Sequence, residues 1–311
     1  MIAYYSSLAM VTSVVLYLVA VATFGAEWAA VRSARPVREL VAVGAGATGT
    51  DDAEVEVAPA TASRSELLGR AALGVTVVAL ATHVAGVVLR GIAAGRAPWG
   101  NMYEFITTSL AFVGIAFVVL AVRFGMRWLG LPVTLLLVVG QGLAVTVFYV
   151  EVSELMPALH SVWFVIHIVA AAIAGAAFNV GAIAAGLYLV KSRAVERGRV
   201  SAALAKLPDI ETLDRISFRF HAFAFPLWTF TIAAGAIWAQ YAWGSFWNWD
   251  PKETWSLVTW IIYAAYLHAR TTVGWKGKRA AVVALVGVFS FWFNFVGINL
   301  LTTGLHAYGG L

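Results

Sequence analysis

Aromatic side chains are concentrated in the segment 243–254, whose sequence is Trp-Gly-Ser-Phe-Trp-Asn-Trp-Asp-Pro-Lys-Glu-Thr and which we call the tryptophan loop. Trp243, Trp247 and Trp249 fall within seven positions of it. Indole rings at this density form a flat, apolar surface that suits a large planar ligand. Interfacial tryptophans and a capped helix start at Asp250 explain part of the pattern, but not a glycine-containing loop with three tryptophans. The segment therefore favours a ligand platform.

Histidine supplies the second kind of chemistry. An imidazole nitrogen can bind a metal, and two imidazoles that approach from opposite sides can serve as axial ligands of haem iron. A single histidine is as often a hydrogen-bonded core side chain, so the arrangement of the whole set decides between these interpretations. The six histidines are His83, His160, His167, His221, His268 and His306.

The composition excludes several classes of protein. Hydrophobic residues make up 61% of the 311 residues and charged residues 12%, whereas a soluble domain has about half and a quarter. This leaves a polytopic membrane protein. Cysteine is absent, which excludes disulfides, thiolate chemistry and a Cys-x-x-Cys-His haem attachment site. The net charge of +5 is interpreted as basic residues retained in cytoplasmic loops, and no nucleic-acid partner is expected.

Eight stretches are long and apolar enough to cross a bilayer, which takes ~20 residues of helix. The alternation typical of barrel strands is missing, so the sequence predicts an all-α polytopic membrane protein with about eight transmembrane helices. The predicted spans are 3–24, 68–90, 103–122, 131–150, 162–190, 217–241, 255–273 and 281–303.

Basic residues predict the orientation of these spans. Seventeen lysines and arginines fall in the loops after spans one, three, five and seven, against three in the alternate loops. By the positive-inside rule, both termini and the tryptophan loop then face outward. The predicted organisation is a first transmembrane helix at 1–24, a variable cytoplasmic insert at 25–66 and a membrane domain at 67–311.

The predicted topology sorts four histidines into two pairs. His83 in span two and His268 in span seven lie within roughly 5–10 Å of the same depth inside the membrane. His167, near the outer end of span five, and His306, after span eight, lie on the side of the tryptophan loop. His160 is either an alternative ligand or a surface residue. His221 has no evident partner and is interpreted as structural.

With these residues in place, the chain resembles the tryptophan-rich WWD superfamily of haem-handling proteins. Within it, the chain is similar to the CcsA/ResC-type proteins of system II cytochrome c biogenesis. The resemblance covers most of residues 80–311. The segments that carry it are Trp243-Gly244-x-x-Trp247-x-Trp249-Asp250, Pro251-Lys252-Glu253-Thr254-Trp255, Tyr266-Leu267-His268-x-Arg270, Gly304-Leu305-His306-x-Tyr308-Gly309, Asn101-x-Tyr103-Glu104, and Pro157-Ala158-Leu159 followed by His167.

The resemblance implies a role for each matched residue. His83 and His268 would be the intramembrane ligands of haem iron, and His167 and His306 the external pair. The haem-binding surface would be formed by Trp243, Gly244, Trp247, Trp249 and Asp250. No separate catalytic residue is implied, and His160 and His221 match no ligand position.

The function implied is export of haem b and its presentation for covalent attachment to apocytochrome c outside the cytoplasmic membrane. The chain would be the multi-pass membrane subunit of a cytochrome c synthase, or haem lyase. Its partners would be a separate ResB-type membrane protein, the Cys-x-x-Cys-His segment of apocytochrome c and a thiol-reducing thioredoxin-like protein, all at a lipid membrane.

Two alternatives stay open on the sequence alone. One is a haem-transport component of another WWD system, similar to CcmC or CcmF, although eight spans and 311 residues suit neither well. The other is a non-haem transporter whose histidines and tryptophans line a solute path. Such a protein would purify without a Soret absorption band.

Overall fold

The computed structural model describes residues 1–33 and 59–306. These residues contain eight long helices. Most of these helices coincide with runs of about twenty or more apolar residues, the length that crosses a bilayer. A helix pairs the backbone N–H and C=O groups of such a run within the run itself, which the bilayer requires. A short helix at Ala202–Ala205 and two single turns lie between the long helices. The long helices are α1 (Ile2–Ser33), α2 (Pro59–Ala94), α3 (Met102–Phe124), α4 (Gly130–Thr146), α5 (Val162–Glu196), α6 (Ile210–Trp243), α7 (Pro251–Thr271) and α8 (Lys278–Leu301).

The prediction of an all-α polytopic membrane protein is confirmed. Seven of the helices described here are long and apolar enough to cross a membrane. The exception is α7, in which tryptophans, tyrosines and polar side chains replace much of the aliphatic content. It still runs the length of the bundle. Its start bonds to His306 after α8, and Arg270 near its end pairs with Asp214 near the start of α6 at 2.8 Å.

The predicted cytoplasmic insert coincides only in part with described residues. Helix α1 continues to Ser33 and α2 begins at Pro59, so both helices extend into the range 25–66. The acidic run within 51–56 lies outside the described residues, as do positions 307–311 at the end of the last matched motif.

The helices pack as two groups of four. One core is formed by α1, α2, α3 and α4 together with Ala176 and Val180 of α5, and the second core is formed by α5, α6, α7 and α8. The groups meet mainly where α3 packs against α5. Helix α5 is the most deeply enclosed span, because 72% of its most apolar stretch is buried. Its many alanines and glycines let neighbouring backbones approach closely, as is typical of helix contacts in membranes.

A buried ion cluster fixes the α2–α3 connection. Glu104, which is fully buried, accepts a hydrogen bond from Arg90 at 2.9 Å and another from Arg96 at 2.7 Å. Asn101 caps α3 through the amide of Glu104, and Tyr103 lies under the Arg90 guanidinium with 5.2 Å to its ring centroid. These contacts explain the Asn101-x-Tyr103-Glu104 motif as a clamp on the connection beside the tryptophan loop.

Replacing Glu104→Gln should destabilise the bundle strongly. The amide keeps the shape but leaves two buried guanidinium groups without a carboxylate, which costs about 3–5 kcal/mol. Thermal unfolding of the purified variant in detergent measures the loss. The matched control is Glu196→Gln, which breaks a half-exposed pair with Lys278 and should cost no more than about 1 kcal/mol. Equal losses in the two variants would contradict a clamp role for Glu104.

Candidate functional site

A cavity opens between the two helix groups beneath the tryptophan loop. It contains about 1390 Å³ of space between the helices, part of which is open to solvent. Most of its wall is aromatic or aliphatic. The polar side chains in the wall include two of the predicted ligands, His167 and His306.

His167 is oriented from the neighbouring helix α6. Its Nδ1 donates a hydrogen bond to the Thr231 carbonyl oxygen at 2.8 Å. Gly235, one turn further along α6, leaves the room for the ring: a Cβ there would lie 2.7 Å from Nδ1. A proton held on Nδ1 places the lone pair on Nε2, the nitrogen that would face a metal.

His306 is oriented by a carboxylate. Its Nδ1 donates to Asp250 Oδ1 at 2.9 Å, and the second oxygen, Oδ2, accepts from the Leu305 amide at 2.7 Å. Any side chain at Gly304 would collide with that same oxygen, which explains the glycine before Leu305. Histidines that bind a metal usually donate their second ring N–H to a carboxylate or a backbone carbonyl. Both His167 and His306 make such a hydrogen bond.

Asp250 is ionised at neutral pH. Burial raises the pKa of its carboxyl group, but hydrogen bonds from His306 and from the Lys252 and Leu305 amides outweigh burial, so that the pKa lies below its ordinary value. Asp250 also caps α7, with Glu253 completing the capping box. The sequence predicts Asp250 as part of a haem-binding surface, whereas the structure places it behind His306.

The tryptophans occupy different positions around the two histidines. Trp238 stacks on His167, with ring centroids 5.9 Å apart, and meets His306 edge-on at 5.5 Å. Trp243 packs against His306 at 4.8 Å, and Trp247 lines the cavity. Trp249 is 69% exposed and points away from the cavity wall. Trp238 and two loop tryptophans thus form the aromatic surroundings of the histidine pair.

Two unusual backbone conformations shape the tryptophan loop. Gly244 ends α6 with a φ of 76°, a left-handed conformation that glycine adopts without strain. Trp249 has a φ of 56°, the one positive value among the described non-glycine residues. A bulky residue in this region is strained and persists only where its surroundings impose it. Its neighbours Asn248 and Asp250 both donate amide hydrogen bonds to Glu253.

The structure does not bring His83 and His268 together. His83 is fully buried in α2, where its Nε2 lies 2.9 Å from the Thr107 carbonyl oxygen and its Nδ1 lies 3.5 Å from the Tyr17 hydroxyl. His268 lies on the exposed side of α7, and α7 does not pack against α2. The two helices belong to opposite groups of the bundle, so similar depth does not place their rings face to face.

The remaining two histidines stand apart from the cavity. His160 is exposed just after the turn Pro157–Leu159. His221 is fully buried in α6, where its Nδ1 lies 2.6 Å from the Ser217 carbonyl oxygen and its ring packs against Tyr263 and Tyr266. Neither faces the His167 and His306 pair.

Several residues of the site are not predicted from the sequence. None of the quoted motifs contains Thr231, Gly235 or Trp238. These residues of α6 contact His167 of α5, which is distant in sequence, so no local pattern indicates their roles. Lys252 belongs to a quoted motif that predicts no function for it, and the structure places it in the cavity wall.

The donor set fits haem better than a bare metal ion. The described residues contain no group of three or more His, Cys, Asp or Glu that could hold such an ion. Two imidazoles complete the coordination of an iron whose other four ligands come from a porphyrin. The apolar wall suits the faces of that macrocycle.

The chain is similar to known proteins over most of its length. The family model for cytochrome c assembly proteins matches residues 99–306, a range that contains the tryptophan loop, His167 and His306 but not His83. The chain is 36% identical to the cytochrome c biogenesis protein CcsA of Guillardia theta, over 76% of this chain and 85% of that protein. It is 34% identical to CcsA of Synechococcus elongatus, over 78% and 89%.

A solved structure shares the fold. The cytochrome c haem lyase CcmF superposes on 95% of this chain with a TM-score of 0.58 and 16% sequence identity. The chain spans only about half of that protein, 47% of its length.

Asp250→Asn should weaken haem binding at the site by about 10–100-fold, the usual cost of losing a hydrogen-bond partner behind a metal ligand. Asparagine caps a helix as well as aspartate does, so α7 should stay intact. Absorbance titration of the purified chain with haem measures the affinity. The control is Asp209→Asn, which makes the same change at the cap of α6. Unchanged affinity in Asp250→Asn would rule out the outer role assigned to this carboxylate.

Proposed function

The chain belongs to the family of cytochrome c assembly proteins, and we propose that it exports haem and presents it to apocytochrome c for covalent attachment outside the cytoplasmic membrane. It is a multi-pass membrane protein of the CcsA type that acts in cytochrome c maturation. In the proposed orientation the tryptophan loop lies on the outer face, because the excess of lysine and arginine lies on the other side.

One observation carries the assignment of the site. His167 and His306 come from different segments, line one apolar cavity, and each engages its Nδ1 with an acceptor. This leaves Nε2 of each ring as the nitrogen that donates to iron. The pair would hold haem iron from two sides, with Trp243 and Trp247 beside the macrocycle.

The residues of the site position the substrate rather than perform acid or base chemistry. Two thiols of a Cys-x-x-Cys-His segment add across the two vinyl groups of haem, which requires mainly proximity and orientation. The two imidazoles fix the iron, and the loop tryptophans restrict the plane of the ring and exclude water. The histidine of the incoming segment would replace one imidazole, so that the product leaves with its own ligand.

The comparisons favour this proposal over both alternatives. The curated relatives that cover most of the chain are cytochrome c biogenesis proteins, which argues against a non-haem transporter. They are of the CcsA type and match over 85% or more of their own length, whereas the CcmF structure shares only the fold over half of its length. We therefore propose the CcsA-type role, with a separate ResB-type partner.

The predicted intramembrane ligands, His83 and His268, are not part of the proposed presentation site. Transfer of haem from His83 and His268 to the outer pair stays a prediction from the sequence. In this structure the two rings lie in opposite helix groups, and His83 precedes the range matched by the family model. The proposed presentation site therefore consists of His167 and His306 alone.

Replacing either His167→Ala or His306→Ala should remove one axial ligand. The purified variants should lose the low-spin spectrum of haem held by two imidazoles, and co-expressed apocytochrome c should stay unattached. Added imidazole should restore part of both signals, because it can enter the space that the side chain leaves.

The matched control is His160→Ala, which removes an exposed histidine on the same side of the bundle. It should keep the spectrum and the attachment activity. Normal spectra and full activity in both single-ligand variants without imidazole would refute the proposed site.

A further inference from the structure

Lys252 is unusual among the charged residues near the tryptophan loop. It is the one lysine or arginine among the described residues that line the cavity. Among the described residues, none accepts a hydrogen bond from Lys252 Nζ and none forms an ion pair with it. By contrast, Lys191 donates to two carbonyl oxygens and Lys278 pairs with Glu196. The Lys252 side chain is partly buried, and the nearest charge acting on it is the Asp250 carboxylate, which already binds His306. An ammonium group thus lies in the wall of a mainly apolar cavity, which the Glu253 carboxylate also lines.

The position of Lys252 in α7 is unfavourable for a cation. It is the second residue of the helix, where the backbone dipole favours negative charge. No carboxylate oxygen of the described residues lies within ion-pair distance of Nζ, although the buried Oε1 of Glu253 accepts no hydrogen bond. Asp250 accepts from His306 and from two amides, and Glu253 accepts from the amides of Asn248 and Asp250. The contacts within the protein therefore do not account for a lysine at this place.

A ligand carboxylate would account for it. Haem carries two propionate groups on one edge and vinyl groups toward the opposite edge, and the rest of the macrocycle is apolar. An ammonium group makes its strongest hydrogen bonds with such an anion. Apolar walls, two imidazoles and one ammonium group correspond to the three kinds of group that haem presents.

We propose, on the basis of the proposed function, that Lys252 binds a propionate carboxylate of haem and so selects which edge of the porphyrin enters the site. With the propionate edge held at Lys252, the vinyl-bearing edge is turned away from it. Lys252 is thus a positioning residue, which sets where the incoming thiols find their vinyl groups.

The test compares haem with its dimethyl ester, in which both propionates lose their charge. The full chain in nanodiscs is titrated with each porphyrin, and binding is followed by the Soret band. The wild-type chain should bind haem about ten- to a hundredfold more tightly than the ester, the factor that one hydrogen bond to a charged group contributes. This comparison needs no variant.

Two variants and a control locate the effect. Lys252→Met should lower haem affinity by the same factor and leave ester affinity unchanged, whereas Lys252→Arg should keep most of the preference for haem. Lys278→Met removes a lysine at the opposite end of the bundle and should behave as the wild type.

Three results would overturn the proposal while leaving the presentation site intact. They are equal wild-type affinity for haem and ester, a preference for haem that survives in Lys252→Met, and an equal loss for both porphyrins in that variant. Failure of the wild-type chain to bind either porphyrin would instead overturn the proposed function, and this proposal with it.

Discussion

Asp250 accepts hydrogen bonds from His306, from the Leu305 amide and from the Lys252 amide. It thereby joins the start of α7 to the tail that follows α8, two segments that are distant in sequence. Asp250 is the last residue of the tryptophan loop before α7 begins, and the tail that follows α8 folds back onto it. Because its carboxylate is partly desolvated and fully engaged, it holds the His306 ring in one tautomer and one orientation. In the proposed site, the motif aspartate therefore acts through His306.

The bilayer explains why the site lies where it does. Polar groups inside a membrane need partners within the protein, and cations there belong in cavities or near the interface. The two helix groups meet mainly through α3 and α5, which leaves room between them at the end beneath the tryptophan loop. The buried clamp around Glu104 fixes the wall on one side, and the cap of α7 fixes the other. The cavity is a consequence of how two four-helix groups are joined.

The helices and the capped start of α7 follow from local sequence patterns. The order of the spans places His167 and His306 near the tryptophan loop, and both line the cavity there. Sequence patterns do not reveal interhelical contacts. Similar depth suggests a pair of His83 and His268, but depth does not specify which helices are neighbours. Trp238 and Gly235 act across the contact between α5 and α6, and no spacing along one helix reveals this. Asp250 was identified by its motif, yet its role depends on the fold of the tail.

The most direct test of this account is the structure of the haem-loaded chain in a lipid nanodisc, with the two distances from the iron to its axial nitrogens as the measured quantity. Iron should lie at bonding distance from Nε2 of both His167 and His306, with Nδ1 of each still held by Thr231 and Asp250. Iron held beneath the tryptophan loop by any other pair of side chains would contradict this prediction.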